Sequence, residues 1–193
     1  MTHQELFEYL LKSTNREGIE DLIEYIRSIG FYDAPASTRF HGAYNGALLE
    51  HSVNVEMLAE KIGVALLGGA EYNKIQDSVI ICALLHDVGK AGQFGKPLYV
   101  DNVLKSGKAS DTQPYKTNPE LMTLPHEIVS CIEVTKFIDL TEDEQRAIAW
   151  HNGLYGAFKY DIQGNETPLY MIIHFADLWA SRVTETVTKP EAK

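Results

Sequence analysis

The chain is short of cysteine, of positive charge and of uninterrupted apolar sequence, and each shortage removes a class of protein. Its two cysteines, Cys82 and Cys131, both lie inside apolar segments at no ligand-like spacing. That excludes a thiolate zinc site and a disulfide framework, leaves both as small core residues, and fits a reducing compartment, so a cytoplasmic location is expected. Lys and Arg number 17 against 27 Asp and Glu, a formal charge of −10 over 193 residues. Such a surface is not built to neutralise a run of phosphates, so stable binding of a long nucleic acid is not expected, whereas a small anion can still be held in a local pocket. No apolar stretch approaches the roughly 20 residues that span a bilayer, and the opening MTHQELFEYLLKS is acidic where a signal peptide would be basic. No membrane attachment is expected.

What is abundant is apolar sequence at helical spacing. With 45% hydrophobic residues, the chain has enough for one buried core and little for two, so a single domain over 1–193 is expected. Leu6, Phe7, Leu10 and Leu11 mark a helix from Gln4 to Leu11, and Ile19, Leu22, Ile23, Ile26 and Ile29 mark a second from Gly18 to Ile29. After an irregular stretch punctuated by Pro35, Gly42 and Gly46, a long helix runs from about Gly46 to Leu67. His51 lies on its apolar face with Leu48, Val55, Leu58 and Ile62. The next helix, from about Asn73 to Asp87, is apolar on nearly every side and should be the most buried of the fold. Residues 93–119 form the longest irregular segment, in which Lys96, Lys105, Lys108 and Lys116 outnumber Asp101 and Asp111. It reads as a solvated loop or a substrate-covering flap, with room for a short hairpin around Pro97 to Val103. Pro125 opens a helix reaching Ile138, and a Thr141–Glu144 capping box opens another ending at His151. A last helix spans Leu169 to about Val183, and the tail from Thr184 to Lys193 reads as frayed. Strand alternation is lacking, so the fold class is all-α.

Chemistry concentrates where the most buried helix ends, at Leu84-Leu85-His86-Asp87-Val88-Gly89-Lys90. Gly89 reads as the helix terminator. An imidazole and a carboxylate delivered together into a helix C-terminus meet the negative end of its dipole, which suits a cation. Lys90 adds a positive charge for an anionic substrate brought to that cation. Collected in order, the inward or helix-end polar residues are His51, His86, Asp87, His126, His151 and Asp177. Mixed imidazole and carboxylate donors favour a divalent transition metal over calcium. His51, His86, Asp87 and Asp177 suffice for one ion, and His126 and His151 invite a second, bridged by Asp87.

These residues carry a resemblance. GALLEHS around His51, LLHDVGK around His86 and Asp87, LPHEIVS around His126, AIAWHNG around His151 and IIHFADLWASR around Asp177 together resemble the HD superfamily of metal-dependent phosphohydrolases. The likeness covers roughly residues 40 to 182, with the helices over 3–30 standing before that core. It implies a helical HD-domain bundle with its site at the ends of the central helices, and a divalent metal cofactor of one or two ions. Mn, Fe, Co, Ni, Mg and Zn are not distinguished by the donors. In two-metal members a His after the His-Asp pair and a double His further on serve the second ion. His126 matches the former and His151 the first of the latter, while Asn152 stands where the second would be.

The resemblance further implies hydrolysis of a phosphate ester or anhydride of a small-molecule nucleotide substrate (mononucleotide, dNTP or cyclic nucleotide), with Asp87 and Lys90 catalytic and Lys90 and Arg39 contacting phosphate. Glu127 is a candidate proton acceptor, and His41 or His174 a candidate for orienting a ligand. The stretch from RFHGAYNG onward is also similar to the branch that includes bacterial exoribonucleases; the acidic charge favours a small nucleotide over an oligonucleotide. The alternative of another class is a non-catalytic nucleotide-binding module, against which stands retention of every residue of the first ligand set. Nothing in the sequence specifies an oligomeric state.

Overall fold

Three threonines and a proline, each at the start of a helix, set where the chain begins to coil. The computed structural model describes residues 1–121 and 124–185. Thr2 caps α1 (His3–Ser13) and Thr141 caps α7 (Glu142–Trp150), each with the reciprocal Glu of a capping box, Glu5 and Glu144. Thr167 caps α9 (Pro168–Trp179), with Pro168 in the first turn. Between them lie α2 (Ile19–Ser28), α3 (Ala47–Leu67), α4 (Gly69–Tyr72), α5 (Gln76–Leu85), α6 (His126–Val134) and α8 (Lys159–Ile162). The fold is all-α as expected, apart from one small hairpin. Among the described residues, no helix is long and apolar enough to cross a membrane.

Burial follows the periodicity. Every side chain from Val79 to Leu85 on α5 is buried, whichever way it points, because α1, α3, α7 and α9 all pack around this helix. Glu144 shows how the outer helices are tied to it. Its carboxylate accepts from the Thr141 N–H, from both terminal nitrogens of Arg16 at 3.1 and 2.7 Å, and from Ser78 Oγ at 2.8 Å. Burial alone would raise this carboxyl, but the hydrogen bonds from Arg16, the Thr141 backbone and Ser78 outweigh it and hold it below the usual range.

A carboxyl depressed in the folded chain contributes stability above the ordinary Glu range, and that contribution is lost as pH falls through the folded value. Arg16→Met is therefore expected to cost about 2–3 kcal/mol at pH 7, because it leaves a buried carboxylate without its cation. The difference from the unmodified chain should shrink as pH falls below the ordinary Glu range and vanish once it has passed through the depressed folded value, where Glu144 is protonated in both. Urea unfolding at pH 7 and pH 3 checks this; a difference independent of pH would remove the ion pair from the account.

Several boundaries differ from the sequence reading. α6 ends at Val134, with Thr135 as its cap, and does not reach Ile138. α5 stops at Leu85, and His86 and Asp87 continue with negative φ into a 3-10 turn at Val88–Ala91. Gly89 is thus no left-handed terminator. Its place is a close approach: its N–H donates to Ser130 Oγ at 2.8 Å, and a Cβ there would lie 2.3 Å from the His126 carbonyl oxygen. The hairpin is wider than Pro97–Val103, pairing β1 (Tyr99–Asp101) with β2 (Tyr115–Thr117). Tyr115 N–H bonds the Thr38 carbonyl and so ties the hairpin to the loop before α3. The four lysines of this segment are all exposed. Finally, α9 runs into a π-turn at Ala180–Thr184 and on to Glu185, so the tail does not fray at Thr184; its remainder, 186–193, lies outside the described residues.

Candidate metal centre

α3, α5, α6, α7 and α9, together with the turn that follows α5, deliver six side chains to one point. Asp87 is at its middle, fully buried. Its Oδ2 faces His51 Nε2 at 3.5 Å and His86 Nε2 at 3.3 Å, and its Oδ1 faces His126 Nε2 at 3.1 Å and His151 Nε2 at 3.5 Å. Asp177 closes the first side, with Oδ1 3.2 Å from His51 Nε2. All six residues singled out as ligands in the sequence are therefore brought together, though they come from positions spread over 126 residues of chain (177 − 51).

The helix ends explain how two of the imidazoles are aimed. His86 and His151 each follow the last residue of a helix, where carbonyls lack intrahelical partners. His86 Nδ1 lies 2.8 Å from the Ala83 carbonyl and His151 Nδ1 2.8 Å from the Ile148 carbonyl, three residues back in each case. A carbonyl only accepts, so Nδ1 carries the proton and Nε2 presents its lone pair toward Asp87. His174 repeats the device one layer out, with Nδ1 2.7 Å from the His151 carbonyl, and its ring stacks on Tyr170. It braces the turn rather than the centre, and Gly153 is required beneath it, since a Cβ there would overlap the imidazole at 2.3 Å.

The electrostatics suit a cation. Burial opposes ionisation of Asp87, yet Lys90, His86 and His126 outweigh it and hold the carboxyl well below its usual range. Burial and the neighbouring His86 push His151 down to about 3, leaving its Nε2 unprotonated. His51 goes the other way: burial lowers it, but the Asp177 and Glu185 carboxylates push it up to about 10. Asp87 Oδ1 is buried with no hydrogen bond among the described residues, an arrangement expensive for an anion unless a cation meets it. His51, His86 and Asp177 offer three ligand atoms within 4.8 Å of one another, as do His86, Asp87 and His151. Nitrogen and carboxylate donors of this kind fit a divalent transition ion; the two groups share His86, whose one free ring nitrogen, Nε2, can serve a single ion at a time.

Other expected residues fall differently. Lys90 reaches the centre, but its Nζ sits 2.6 Å from Asp87 Oδ2 and is largely buried, so its charge is engaged by the ligand carboxylate. Arg39 is exposed, with its guanidinium 4.7 Å over the Phe40 ring, and the structure does not bring it into the cluster; the loop before α3 turns it to solvent. Glu127 is buried and faces His126 Nδ1 at 3.2 Å, a fixed carboxylate behind a ligand rather than one facing the opening. His41 is half-buried with its ring 5.5 Å from that of His51. Asn152 points its amide at His126 Nε2, 3.4 Å away. Glu185, read as tail, lies 2.9 Å from His51 Nδ1, and no local pattern in the sequence marks it.

The family model described as HD domain matches residues 48–178. Over 163 residues the chain is 26% identical to a dihydroneopterin 2',3'-cyclic phosphate phosphodiesterase of Methanocaldococcus jannaschii, a match covering 83% of this chain and 57% of that protein. The chain thus spans little more than half the length of that relative. No solved structure matches it.

Proposed function

The chain belongs to the HD domain family, and from that premise we propose that it is a metal-dependent phosphohydrolase cleaving a phosphate ester or anhydride of a small nucleotide-type substrate. One observation carries the reading: a single buried carboxylate, Asp87, whose two oxygens each face their own pair of histidines. When bound, divalent ions supply Lewis-acid activation of water at neutral pH and offset charge on phosphoryl oxygens. His51, His86, Asp87 and Asp177 would hold one ion, and Asp87, His126 and His151 a second. Asn152 stands beside His126 as a neutral hydrogen-bonding group that can orient water or a substrate oxygen. Glu127, whose carboxylate lies 3.2 Å from Nδ1 of His126, favours a proton on that nitrogen and so a lone pair at the Nε2 that faces Asp87.

Lys90 has two roles to divide. Its ammonium neutralises Asp87 within the protein, and a cation taken up at Asp87 Oδ2 would compete for the same oxygen and free Nζ for a phosphoryl oxygen. Lys90→Ala is thus expected to retain full metal content while hydrolysis falls about 100-fold, the usual scale for losing one charge-stabilising donor. Elemental analysis beside the turnover assay checks it; loss of the metal would make Lys90 structural.

The relative's name bears on the substrate. It acts on a 2',3'-cyclic phosphate, and a cyclic phosphodiester is small enough for a pocket on an acidic surface that does not favour polymers. Among the nucleotide classes, a cyclic phosphodiester is accordingly the substrate we infer. The test is metal analysis of protein purified without chelator, then a screen of mononucleotides, dNTPs, short oligonucleotides and cyclic phosphodiesters with products resolved. Metal uptake with release of a phosphomonoester from a cyclic substrate supports the reading. Metal uptake without hydrolysis of any of them would favour a nucleotide-binding module instead.

A further inference from the structure

His51 differs from His86 and His151 in where it stands on its helix. Those two follow helix ends and use free carbonyls to fix their tautomers, whereas His51 lies inside α3, where nearby carbonyls are spent on the helix itself. Its Nδ1 needs a partner from elsewhere in the chain. Glu185 supplies one, with Oε1 and Oε2 at 2.9 and 3.2 Å. Asn54, one turn along α3 from His51, donates Nδ2 to the same Oε1 at 3.3 Å and holds the carboxylate in place.

The backbone of α9 explains how Glu185 arrives there. Asp177 and Glu185 are eight residues apart, which on a regular α-helix at 100° per residue would set them about 80° apart around the axis, on different faces. The π-turn at Ala180–Thr184, closed by the Glu185 N–H donating to the Ala180 carbonyl at 2.9 Å, absorbs one extra residue. Glu185 then stands where a seventh residue would, about 20° from Asp177. Two carboxylates on one line of the helix therefore hold one imidazole from opposite ends, Asp177 at Nε2 and Glu185 at Nδ1.

We propose that Glu185 is a positioning residue for the metal centre: by accepting the Nδ1 proton of His51 it aims the Nε2 lone pair at the ion shared with His86, Asp87 and Asp177 and raises the basicity of that nitrogen. The inference rests on the metal-centre reading. It makes the helix end, through one turn of non-α backbone, part of the machinery that holds the ion.

The test uses the full chain with Glu185→Ala and Glu185→Gln, and Glu50→Gln as a control, since Glu50 stands on α3 beside His51 but accepts from the Tyr44 hydroxyl. Mn2+ affinity is measured by competition with a chelator, and the ring N–H protons of the Zn2+-loaded chain by NMR. Glu185→Ala is expected to weaken Mn2+ binding about 10- to 100-fold and to abolish the exchange-protected His51 Nδ1–H signal. Glu185→Gln, which keeps an acceptor oxygen without the charge, should fall between, and Glu50→Gln should change neither. A role in holding the helix end alone would lower the melting temperature and leave the His51 signal in place, which overturns the proposal. So would Mn2+ affinities within twofold of the unmodified chain. Should the unmodified chain take up no Mn2+, the metal-centre reading itself fails and this inference with it; equal binding by chain and variants sinks the inference alone.

Discussion

Asp87→Asn is expected to reduce hydrolysis at least about a thousandfold, ~4 kcal/mol of barrier, and to empty the centre of metal while the chain stays folded. The side chain keeps its shape, so the walls formed by His51, His86, His126 and His151 have no cavity to collapse into. What disappears is the negative charge on which both histidine pairs converge. An amide offers one weak oxygen donor and a nitrogen that repels a cation, so a bridge between two ions is lost with the charge. Alanine is the less informative replacement, because it removes the side-chain volume and the oxygen that Lys90 Nζ approaches at 2.6 Å as well as the charge, so that a cavity and a lost hydrogen bond would be mixed with the loss of the anion. Elemental analysis, turnover of the substrate selected by the screen and circular dichroism are read together. Full metal content with near-normal hydrolysis would sink the reading of Asp87 as the centre of the site.

The second large effect is expected from a methyl group. Gly89→Ala would place a Cβ 2.3 Å from the His126 carbonyl oxygen, 2.8 Å from Val129 Cβ and 3.0 Å from Ser130 N. Two of those atoms are backbone of the first turns of α6, which cannot step aside as a flexible side chain would. Relief requires α6 to shift as a unit, costing about 3 kcal/mol by the scale of overpacked cores, or about 6–12 °C in melting temperature for a chain this size. Because α6 carries His126, the shift also draws its Nε2 away from Asp87 Oδ1, now 3.1 Å distant. Binding of a second ion should suffer more than binding of the first. Gly69→Ala is the control: an added Cβ there meets nothing within 4 Å, and the change should be neutral or slightly stabilising within α4. Thermal unfolding and metal stoichiometry of the two variants decide the matter. A Gly89→Ala chain as stable as its parent, with unchanged stoichiometry, would mean that the seam between the 88–91 turn and α6 is slack.

The sequence by itself determined the all-α class, the order of the main helices and the six residues that meet at the centre. It could do so because burial on one face of a helix leaves a period of 3.6, capping leaves Thr and Glu three apart, and a polar residue on an apolar stripe points to where the stripe goes. His51 was legible as inward from Leu48 and Val55, and Asp177 from Ile173 and its stripe on α9. Three features came only from the fold. Gly89 carried the signature of a terminator, yet the reason for glycine is the approach of α6, which starts 37 residues later (126 − 89) and leaves no mark beside it. The pairing of Lys90 with Asp87 was not legible, because a local motif does not say which carboxylate will lie within 2.6 Å of an ammonium. Glu185 was hidden altogether, since its alignment with Asp177 depends on a π-turn that shifts the helical phase by one residue. Periodicity is a one-dimensional record of which side of an element is buried; phase shifts, close backbone approaches and the choice of charge partner depend on distances between elements, and only tertiary packing sets those.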